Sequence, residues 1–410
     1  MMVNMLLPRG EAQNIESILD SLENASRRPF MDETKAFIAA LSSALLADTA
    51  AKRFPDIQAL GYWTRPSMIE RLERDFRAAT PQRVVRAARG MVFHMPPANV
   101  DTLFVYSWLL SLLAGNSNII RHSSRRSAQG ELLLAILDSL FAAHLSVAES
   151  NAIVSYGHED AITAAISRDC DMRVVWGGDV TVKHIRSIAL APHATDLAFA
   201  NRFSMAAINA AHYLSLNDAQ RRTVAEALFN DIYWFDQMAC ASPRMLVWIG
   251  DGDTTEAADS LWPLLDQVAQ DKGYKVEPGA PLGKVSLSYR AAIDLEVSGI
   301  RRFDERLSVI TLDSFKGFDA FRSETFGGGV VCEINLPELR ALAPHINYRD
   351  QTLAQFGFTD DTLREFALAL KGRGLDRIVP LGRSLDFDAV WDGEDLLFRF
   401  TRAVTLKPLV

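Results

Sequence analysis

The chain contains three cysteines, and one of them lies in a setting that suits a nucleophile. Cys240 stands in the stretch FDQMACASPR, in a loop predicted between a helix and a strand, with small neighbours and Pro243 shortly after it. A loop at the edge of a sheet is where a reactive thiol can meet a substrate. A free cysteine is more often a small buried hydrophobe, so position alone leaves both interpretations of Cys240 open. Cys332, in the apolar VVCEI, fits the buried role, and Cys170 lies between acids that would oppose a thiolate.

A second candidate site follows a predicted strand in MRVVWGGDVTVKHIRSI. Gly177 and Gly178 would let a ligand approach the backbone closely, and Asp179 opens the next helix, whose free amides favour a phosphate. The same residues also form an ordinary strand-to-helix turn. Because the pattern is not a full GxGxxG, this motif alone leaves phosphate binding open.

Three arginines follow another predicted strand in GNSNIIRHSSRRS. Arg121 ends that strand, at the edge where open α/β sheets bind ligands, and Arg125 and Arg126 come soon after. Guanidinium groups match phosphate oxygens and would suit the 2'-phosphate of NADP. Taken alone, the cluster is more typical of a solvated turn with surface arginines.

The elements around these motifs change character along the chain. From Ile15 to about Ala88 the spacing of apolar residues predicts helices. Short apolar strands then alternate with helices as far as MRVVWGG, and a second alternating set begins near Phe203. Such alternation predicts doubly wound parallel sheets, so the chain should form two α/β domains with a cleft between them.

The composition argues against several functional classes. A net charge of -8 disfavours sequence-independent nucleic-acid binding, which needs a basic surface. The longest apolar run, Leu103 to Gly115, is shorter than the roughly 20 residues of a membrane span and predicts a buried helix. The start of the chain does not resemble a signal peptide. Widely separated cysteines indicate a reducing compartment, and the eight histidines show no metal-ligand spacing. We therefore expect a cytoplasmic, metal-free, multidomain protein.

The order of the motifs resembles a known superfamily over nearly the whole chain. FHMPPANVDTL, LLAGNSNIIRHSS, WGGD, the cysteine loop and SETFGGGVV follow one another as in the aldehyde dehydrogenases. More narrowly, GNSNIIR, WGGD, FDQMACASPR and the long GLDRIVPLGRSLDFDAVWDGEDLL resemble the acyl-CoA reductases of the LuxC type, the bacterial luminescence fatty-acid reductases. The resemblance implies an aldehyde dehydrogenase-like fold. Its domains would be a nicotinamide dinucleotide-binding domain with a helical N-terminal segment (1–202), a catalytic domain (203–385) and a C-terminal segment serving oligomerisation (386–410).

The resemblance also implies roles for individual residues in the chemistry. Cys240 matches the catalytic thiol. Asn99 matches the asparagine whose side-chain amide forms an oxyanion hole together with the Cys240 backbone N–H. One position departs from the hydrolytic members of the superfamily, whose glutamate in an ELGG motif activates water. Here the stretch is LAFANRFS, which holds no carboxylate, and Ala198 is nearest to that glutamate.

The remaining matches concern the cofactor. Arg121 stands where the superfamily usually has a lysine on the adenosine ribose. Ser124 replaces a glutamate that holds both ribose hydroxyls in many NAD-preferring members, which together with Arg125 favours NADPH. The other implied contacts are the turn under the pyrophosphate and the pair around the nicotinamide ribose, namely Gly177, Gly178, Asp179, Glu324 and Phe326.

The resulting hypothesis is an NADPH-dependent reductase that converts a fatty acyl-CoA or acyl-protein thioester to the aldehyde through S-acyl-Cys240. The resemblance further implies an acyl-protein synthetase as partner and a homo-oligomer. Three rivals stay open: a cysteine acyltransferase without redox chemistry, an NAD(P)-dependent aldehyde oxidiser, and a cofactor-binding scaffold with a silent site. Trp108, Trp234 and Phe235 could line an acyl tunnel or belong to the core.

Overall fold

The computed structural model describes residues 1–23, 25–97, 100–125, 127–252, 254–277, 279–324 and 327–407. The chain divides into two compact units. The first unit comprises Met1–Asn201 together with Phe387–Val410, and the second comprises Arg202–Asp386.

The first unit is built on a seven-stranded sheet. The strands up to Phe199 are β1 (Met2–Leu7), β2 (Gln13–Asn14), β3 (Val84–Ala88), β4 (Met91–Met95), β5 (Ser117–Arg121), β6 (Asn151–Ser155), β7 (Met172–Trp176) and β8 (Thr195–Phe199). All of them except β3 belong to this sheet. The sheet order is β2-β1-β6-β5-β4-β7-β8. The strands from β6 to β8 are parallel, whereas β1 pairs antiparallel with both of its neighbours. The parallel core strands are short apolar runs because helices cover both faces.

Nine helices of the described residues surround this sheet. They are α1 (Ile15–Leu22), α2 (Asp32–Ala47), α3 (Pro55–Trp63), α4 (Pro66–Ala79), α5 (Thr102–Leu113), α6 (Ala128–Ala143), α7 (Leu145–Ala148), α8 (Asp160–Asp169) and α9 (Asp179–Ser187), with a 3-10 turn at Ala51–Arg53. The helix α5 is apolar on all sides and almost wholly buried. Gly115 ends it with a φ of +89°, and a Cβ there would lie 2.3 Å from the Arg27 carbonyl oxygen, so only glycine fits.

The second unit repeats the α/β plan. Its strands are β9 (Phe203–Asn209), β10 (Pro243–Ile249), β11 (Val297–Phe303), β12 (Leu307–Leu312), β13 (Val330–Leu336), β14 (Asp350–Phe356) and β15 (Arg377–Pro380), in the order β11-β12-β13-β10-β9-β14-β15. All pairs are parallel except β11 with β12. Its helices are α10 (Ala210–Leu214), α11 (Asp218–Tyr233), α12 (Thr255–Asp271), α13 (Ala280–Asp294), α14 (Phe318–Phe321) and α15 (Asp360–Ala369), with a 3-10 helix at Leu339–His345.

The C-terminal segment returns to the first unit. It contains β16 (Val390–Trp391), β17 (Glu394–Asp395), α16 (Leu396–Arg399) and β18 (Thr401–Thr405). The strand β18 pairs antiparallel with β3. The Asn116 side-chain amide donates to the Phe400 carbonyl oxygen at 2.9 Å, so a buried polar group of the first unit depends on this segment.

The predicted pair of α/β domains with parallel sheets is confirmed, and the N-terminal region holds the main error. The stretch up to Ala88 is not helical throughout, since Val84–Ala88 forms β3. This strand is short and none of its residues is fully buried, and its partner β18 lies more than 300 positions later, which local spacing cannot reveal. Among the described residues, no helix is both long enough and apolar enough to cross a membrane. Among the same described residues, no group of three or more His, Cys, Asp or Glu side chains could hold a metal ion.

Candidate active site

The three cysteines differ sharply in their surroundings. Cys240 is exposed, whereas Cys170 and Cys332 are buried. Burial raises the pKa of Cys170 to about 12, and burial likewise raises the pKa of Cys332 far above its ordinary value. A thiol must reach solvent and ionise to act as a nucleophile, so Cys240 is the candidate among the three. The predicted buried role of Cys332 is confirmed.

The loop that carries Cys240 connects α11 to β10. The Ser204 hydroxyl, at the start of β9, donates to the Cys240 carbonyl oxygen at 2.7 Å. The Ser242 backbone N–H donates to the Ala239 carbonyl oxygen at 3.1 Å, closing a tight turn around the cysteine. These contacts hold the backbone of Cys240 against the amino-terminal edge of the second sheet while its side chain stays exposed.

Arg244 supplies a cation next to this thiol. It follows Cys240 by four positions, at the irregularity in the register between β10 and β9. Its Nη1 atom donates to the Arg202 carbonyl oxygen at 3.4 Å, and its Nε atom is buried. Burial lowers the pKa of Arg244, and the charge of the nearby Cys240 acts in the opposite direction. An arginine stays protonated at neutral pH even so, and a neighbouring cation favours the thiolate form of a cysteine.

A glycine-rich segment, Gly327–Val330, packs against the start of the cysteine loop. The Gly328 backbone N–H donates to the Asp236 carbonyl oxygen at 2.9 Å. The Tyr274 hydroxyl donates to the Asp236 carboxylate. Lys284 is buried below the same segment, where its Nζ atom donates to the Arg306 carbonyl oxygen at 2.9 Å and burial lowers its pKa to about 8. The segment is therefore bonded to the cysteine loop at Asp236, and the Lys284 side chain lies close to Gly328.

Glu324 lies just before the glycine segment and is paired with a cation. The Nη2 atom of Arg290 lies 3.0 Å from its Oε1 atom, and the Glu324 carboxylate is one-quarter exposed. The predicted contact of Glu324 with a ribose stays a prediction, and it would have to compete with Arg290. Phe326, the second residue predicted near the nicotinamide ribose, lies outside the described residues.

In the first unit, the turn after β7 carries the predicted pyrophosphate residues. The Gly177 backbone N–H donates to the Phe199 carbonyl oxygen at 3.1 Å, and the ring of Trp176 stacks on that of Phe199 with centroids 3.8 Å apart. The Asp179 carboxylate accepts a hydrogen bond from the Asn201 backbone N–H at 3.1 Å. The start of α9 is thus attached to the end of β8.

The space around Gly178 is suited to a phosphate. Its φ of -65° is open to any residue, and a Cβ there would meet only the Asn201 side chain, at 3.7 and 3.8 Å. Neither backbone strain nor crowding therefore requires a glycine at this helix start. What the missing side chain does provide is room beside the first backbone N–H groups of α9, where a helix binds anions. Gly177, Gly178 and the start of α9 fit the pyrophosphate of a dinucleotide.

The predicted ribose residues lie at and after the end of β5. Arg121 is anchored: its Nη2 atom donates to the Gly157 carbonyl oxygen at 2.6 Å, and its guanidinium lies 4.8 Å from the centroid of the Tyr156 ring. Ser124 and Arg125 are exposed in the following loop. Arg121 thus has a fixed orientation at the carboxyl edge of the sheet, as a ligand-binding cation requires, while Arg126 lies outside the described residues.

Other residues named from the sequence have varied outcomes. Asn99, the predicted oxyanion donor, lies outside the described residues. Ala198 lies within β8, paired with Val175 of β7. Trp108 is core rather than tunnel, since it is fully buried and its Nε1 atom donates to the Asn151 side-chain oxygen at 2.6 Å. Trp234 is partly exposed.

Sequence reasoning missed the residues that support the thiol. Ser204, Gln237 and Arg244 all touch or electrostatically influence the cysteine loop. Gln237 and Arg244 stand inside the motif FDQMACASPR, so their proximity along the chain was the available signal. Ser204 offered none, because only the pairing of β9 with β10 brings it to the loop.

Comparisons with known proteins agree on one family. The model of the acyl-CoA reductase (LuxC) family matches residues 16–271. A "Long-chain acyl-protein thioester reductase" of Aliivibrio fischeri is 27% identical over 165 residues, covering 40% of this chain and 33% of that protein. A "Long-chain acyl-protein thioester reductase 2" of Photobacterium leiognathi is 26% identical over 209 residues, covering 50% of this chain and 40% of that protein. The chain thus matches less than half the length of each relative.

Solved structures show the fold. Aldehyde dehydrogenase 21 from Physcomitrella patens superimposes with a TM-score of 0.67 at 12% identity, covering 96% of this chain and 89% of that one. An NAD-dependent benzaldehyde dehydrogenase from Corynebacterium glutamicum gives a TM-score of 0.64 at 14% identity, covering 95% and 88%. The predicted aldehyde dehydrogenase-like fold is confirmed.

Proposed function

The chain belongs to the acyl-CoA reductase (LuxC) family, and from this premise we propose that it reduces a fatty acyl thioester to the aldehyde with NADPH. The donor would be an acyl-CoA or an acyl group held by a partner protein such as an acyl-protein synthetase. The names of the two curated relatives, both long-chain acyl-protein thioester reductases, support this substrate class. The observation that carries the proposal is that Cys240, the thiol of the family motif, is the exposed one of the three.

The first step would be transfer of the acyl group to Cys240. Its thiolate attacks the carbonyl carbon of the thioester, a carbon–sulfur bond forms, and the bond to the leaving thiol breaks. Arg244 would favour the thiolate without taking a proton, so thiol exchange needs no separate base. Asn99 and the Cys240 N–H would stabilise the oxyanion, and each such donor is typically worth about 3–4 kcal/mol.

The second step would be reduction of the acyl group on Cys240. NADPH, when bound, supplies a hydride to the acyl carbon. Gly177, Gly178 and the start of α9 would hold its pyrophosphate, and Arg121 and Arg125 would face its ribose phosphate. The resulting thiohemiacetal oxyanion then collapses, the carbon–sulfur bond breaks, the aldehyde leaves, and the Cys240 thiolate is restored. The acyl carbon is thereby reduced by two electrons, both of which come from the hydride.

The residues near the superfamily's water-activating position favour reduction over hydrolysis. By the sequence resemblance, Ala198 of β8 is the residue nearest to that position, and the stretch Leu197–Ser204 contains no carboxylate. Without a general base there, an acyl enzyme is not readily hydrolysed and persists long enough to be reduced. The same substitution disfavours net aldehyde oxidation, which needs that water. The predicted homo-oligomer and cytoplasmic location remain predictions.

The test is the intact mass of the protein after mixing with acyl-CoAs of several chain lengths, without reduced cofactor. We expect an acyl-sized increase that Cys240→Ala abolishes and that the buried-thiol control Cys170→Ala retains. Adding NADPH should then discharge the label as free aldehyde, faster than equimolar NADH.

Each alternative outcome identifies a rival. A label that NADPH leaves in place but an added nucleophile removes would indicate an acyltransferase. Discharge as free acid rather than aldehyde would contradict the reductase. If no acyl-CoA labels the protein although NADPH binds, the donor is a partner-held acyl group or the proposal is wrong, and acyl-protein donors then separate these two.

A further inference from the structure

The side chain of Gln237 joins two loops of the second unit. It is fully buried, and its Nε2 atom donates to the carbonyl oxygens of Pro243, at 2.8 Å, and Val330, at 2.9 Å. Its Oε1 atom accepts from the backbone N–H groups of Gly329 and Val330, both at 3.1 Å. A carboxamide has two donors and two acceptor sites, so every one of them is used.

These contacts close the cysteine loop at its base. Gln237 and Pro243 are the first and last residues of the segment that has Cys240 at its middle. The same amide holds the glycine segment Gly327–Val330, which follows directly after the region of Glu324. One side chain therefore fixes the ends of the thiol loop and attaches that loop to its neighbour.

The backbone conformation shows that this arrangement is enforced by its surroundings. Asp236 and Gln237 have φ values of +50° and +59°, in the left-handed region that residues other than glycine rarely adopt. Such conformations persist only where neighbouring contacts over-determine them, and they concentrate at functional sites. Here the four hydrogen bonds of Gln237 and the Gly328–Asp236 contact provide that support.

We infer that Gln237 is a positioning residue: its carboxamide holds the Cys240 thiol in its reactive environment and couples the thiol loop to the segment that follows Glu324. The inference rests on the proposed function only for the role of that second segment at the cofactor. Without the amide, the loop gains freedom, Cys240 leaves its fixed place relative to Arg244, and its thiolate population falls. The glycine segment loses its attachment at the same time.

Two variants separate the donors from the acceptors of this amide. Gln237→Met keeps the approximate length of the side chain and removes all four hydrogen bonds. Gln237→Glu keeps the two acceptor contacts to Gly329 and Val330 and loses the two donors, and it serves if the methionine variant does not fold. Asn151→Leu is the matched control, because Asn151 is a buried amide of the first unit with four contacts, to Val147, Ser150, Trp108 and Asn118.

The first readout is the rate of Cys240 alkylation by iodoacetamide at pH 7, followed by intact mass with Cys170 and Cys332 replaced by alanine. We expect both Gln237 variants to react at least fivefold more slowly than the parent and Asn151→Leu to react within twofold of it. Thermal unfolding of each variant accompanies this measurement. If the Gln237 variants lose stability as Asn151→Leu does but alkylate at the parent rate, Gln237 is only structural and the inference is overturned.

The second readout is the NADPH dissociation constant from cofactor fluorescence, which needs no acyl substrate. We expect it to rise at least threefold in Gln237→Met and to stay unchanged in Asn151→Leu. An unchanged value with slowed alkylation would overturn the coupling to the glycine segment. If the parent protein does not bind NADPH, the proposed function fails, while the alkylation rates still decide whether Gln237 positions the thiol.

Discussion

At the scale of the residue, we expect the reactivity of Cys240 to depend on the charge of Arg244. The charges of Arg244 and Cys240 act on each other, and the Arg244 guanidinium also donates to the Arg202 carbonyl oxygen. His94, the histidine nearest in sequence to the predicted oxyanion donor, takes no part. It is buried between Ser107 and Asn118, and burial lowers its pKa to about 4, so it is a neutral core residue.

Replacing Arg244 should shift the pH dependence of the thiol. In Arg244→Met the cation that favours the thiolate is lost, so alkylation of Cys240 at pH 7 should slow about tenfold. At alkaline pH, where the thiol of both proteins is ionised, the rates of parent and variant should converge. The measurement is the alkylation rate from pH 6 to pH 10. Arg244→Lys keeps a charge and should shift the profile less, whereas identical profiles for all three proteins would show that Arg244 does not act on the thiol.

At the scale of the element, the predicted cofactor residues of the first unit and the candidate thiol of the second unit lie at opposite edges of their own sheets. In the first unit, Arg121 and Gly177 follow the carboxyl ends of β5 and β7, where a helix start also points its N–H groups. In the second unit, Cys240 and the glycine segment precede the amino ends of β10 and β13. Under the proposed function, cofactor binding and thiol chemistry would belong to different kinds of strand–helix connection.

Adding a methyl group at the start of α9 should weaken cofactor binding specifically. Gly178→Ala fits the backbone and meets only ordinary contacts, so stability should change by no more than about 1 kcal/mol. The Cβ would nevertheless occupy the space proposed for the pyrophosphate and should raise the NADPH dissociation constant about tenfold. Gly283→Ala, with no atom within 4 Å of the new Cβ, is the control in fluorescence titrations. Equal affinities in both variants would place the phosphate elsewhere.

At the scale of the whole molecule, the chain leaves the first unit after Asn201 and returns to it at Phe387. The returning segment is part of the core. Phe400 is fully buried, its ring centroid lies 5.8 Å from that of His94, and β18 completes a ribbon with β3. The C-terminal segment therefore contributes to the core of the first unit, and its predicted role in oligomerisation remains a prediction.

Truncating Phe400 should destabilise the protein directly. Phe400→Ala removes a buried aromatic ring, which typically lowers the free energy of unfolding by about 3–5 kcal/mol. Leu406→Ala, in the half-exposed end of the same segment, should cost no more than about 0.5 kcal/mol. Urea unfolding at one protein concentration, with the oligomeric state followed in parallel, compares them. A variant that changes its association but not its unfolding would show that the segment serves assembly alone.

The parts of the fold that could be predicted are those that depend on the spacing of apolar residues over short stretches of sequence. Apolar spacing located β4, α5, β5, α6 and β7 in order, because the faces they bury repeat within a few residues. The strand β3 was not predicted, because its partner β18 lies near the other end of the chain. Local sequence was also enough to identify three candidate site features, since each stands at a junction between predicted elements. They are Cys240, the turn at Gly177 and Gly178, and Arg121.

By itself, the sequence determined the α/β plan, the family resemblance and the candidacy of Cys240, because these depend on residue types and nearby spacing. Only the tertiary structure decided which thiol is exposed, that Arg244 adjoins it, and that Gln237 links the loops of Cys240 and Gly328. Hydrogen bonds such as Gln237 to Val330 join residues 93 positions apart. Their existence depends on how β10 and β13 pair, and that pairing is the outcome of packing the whole sheet rather than of any local pattern.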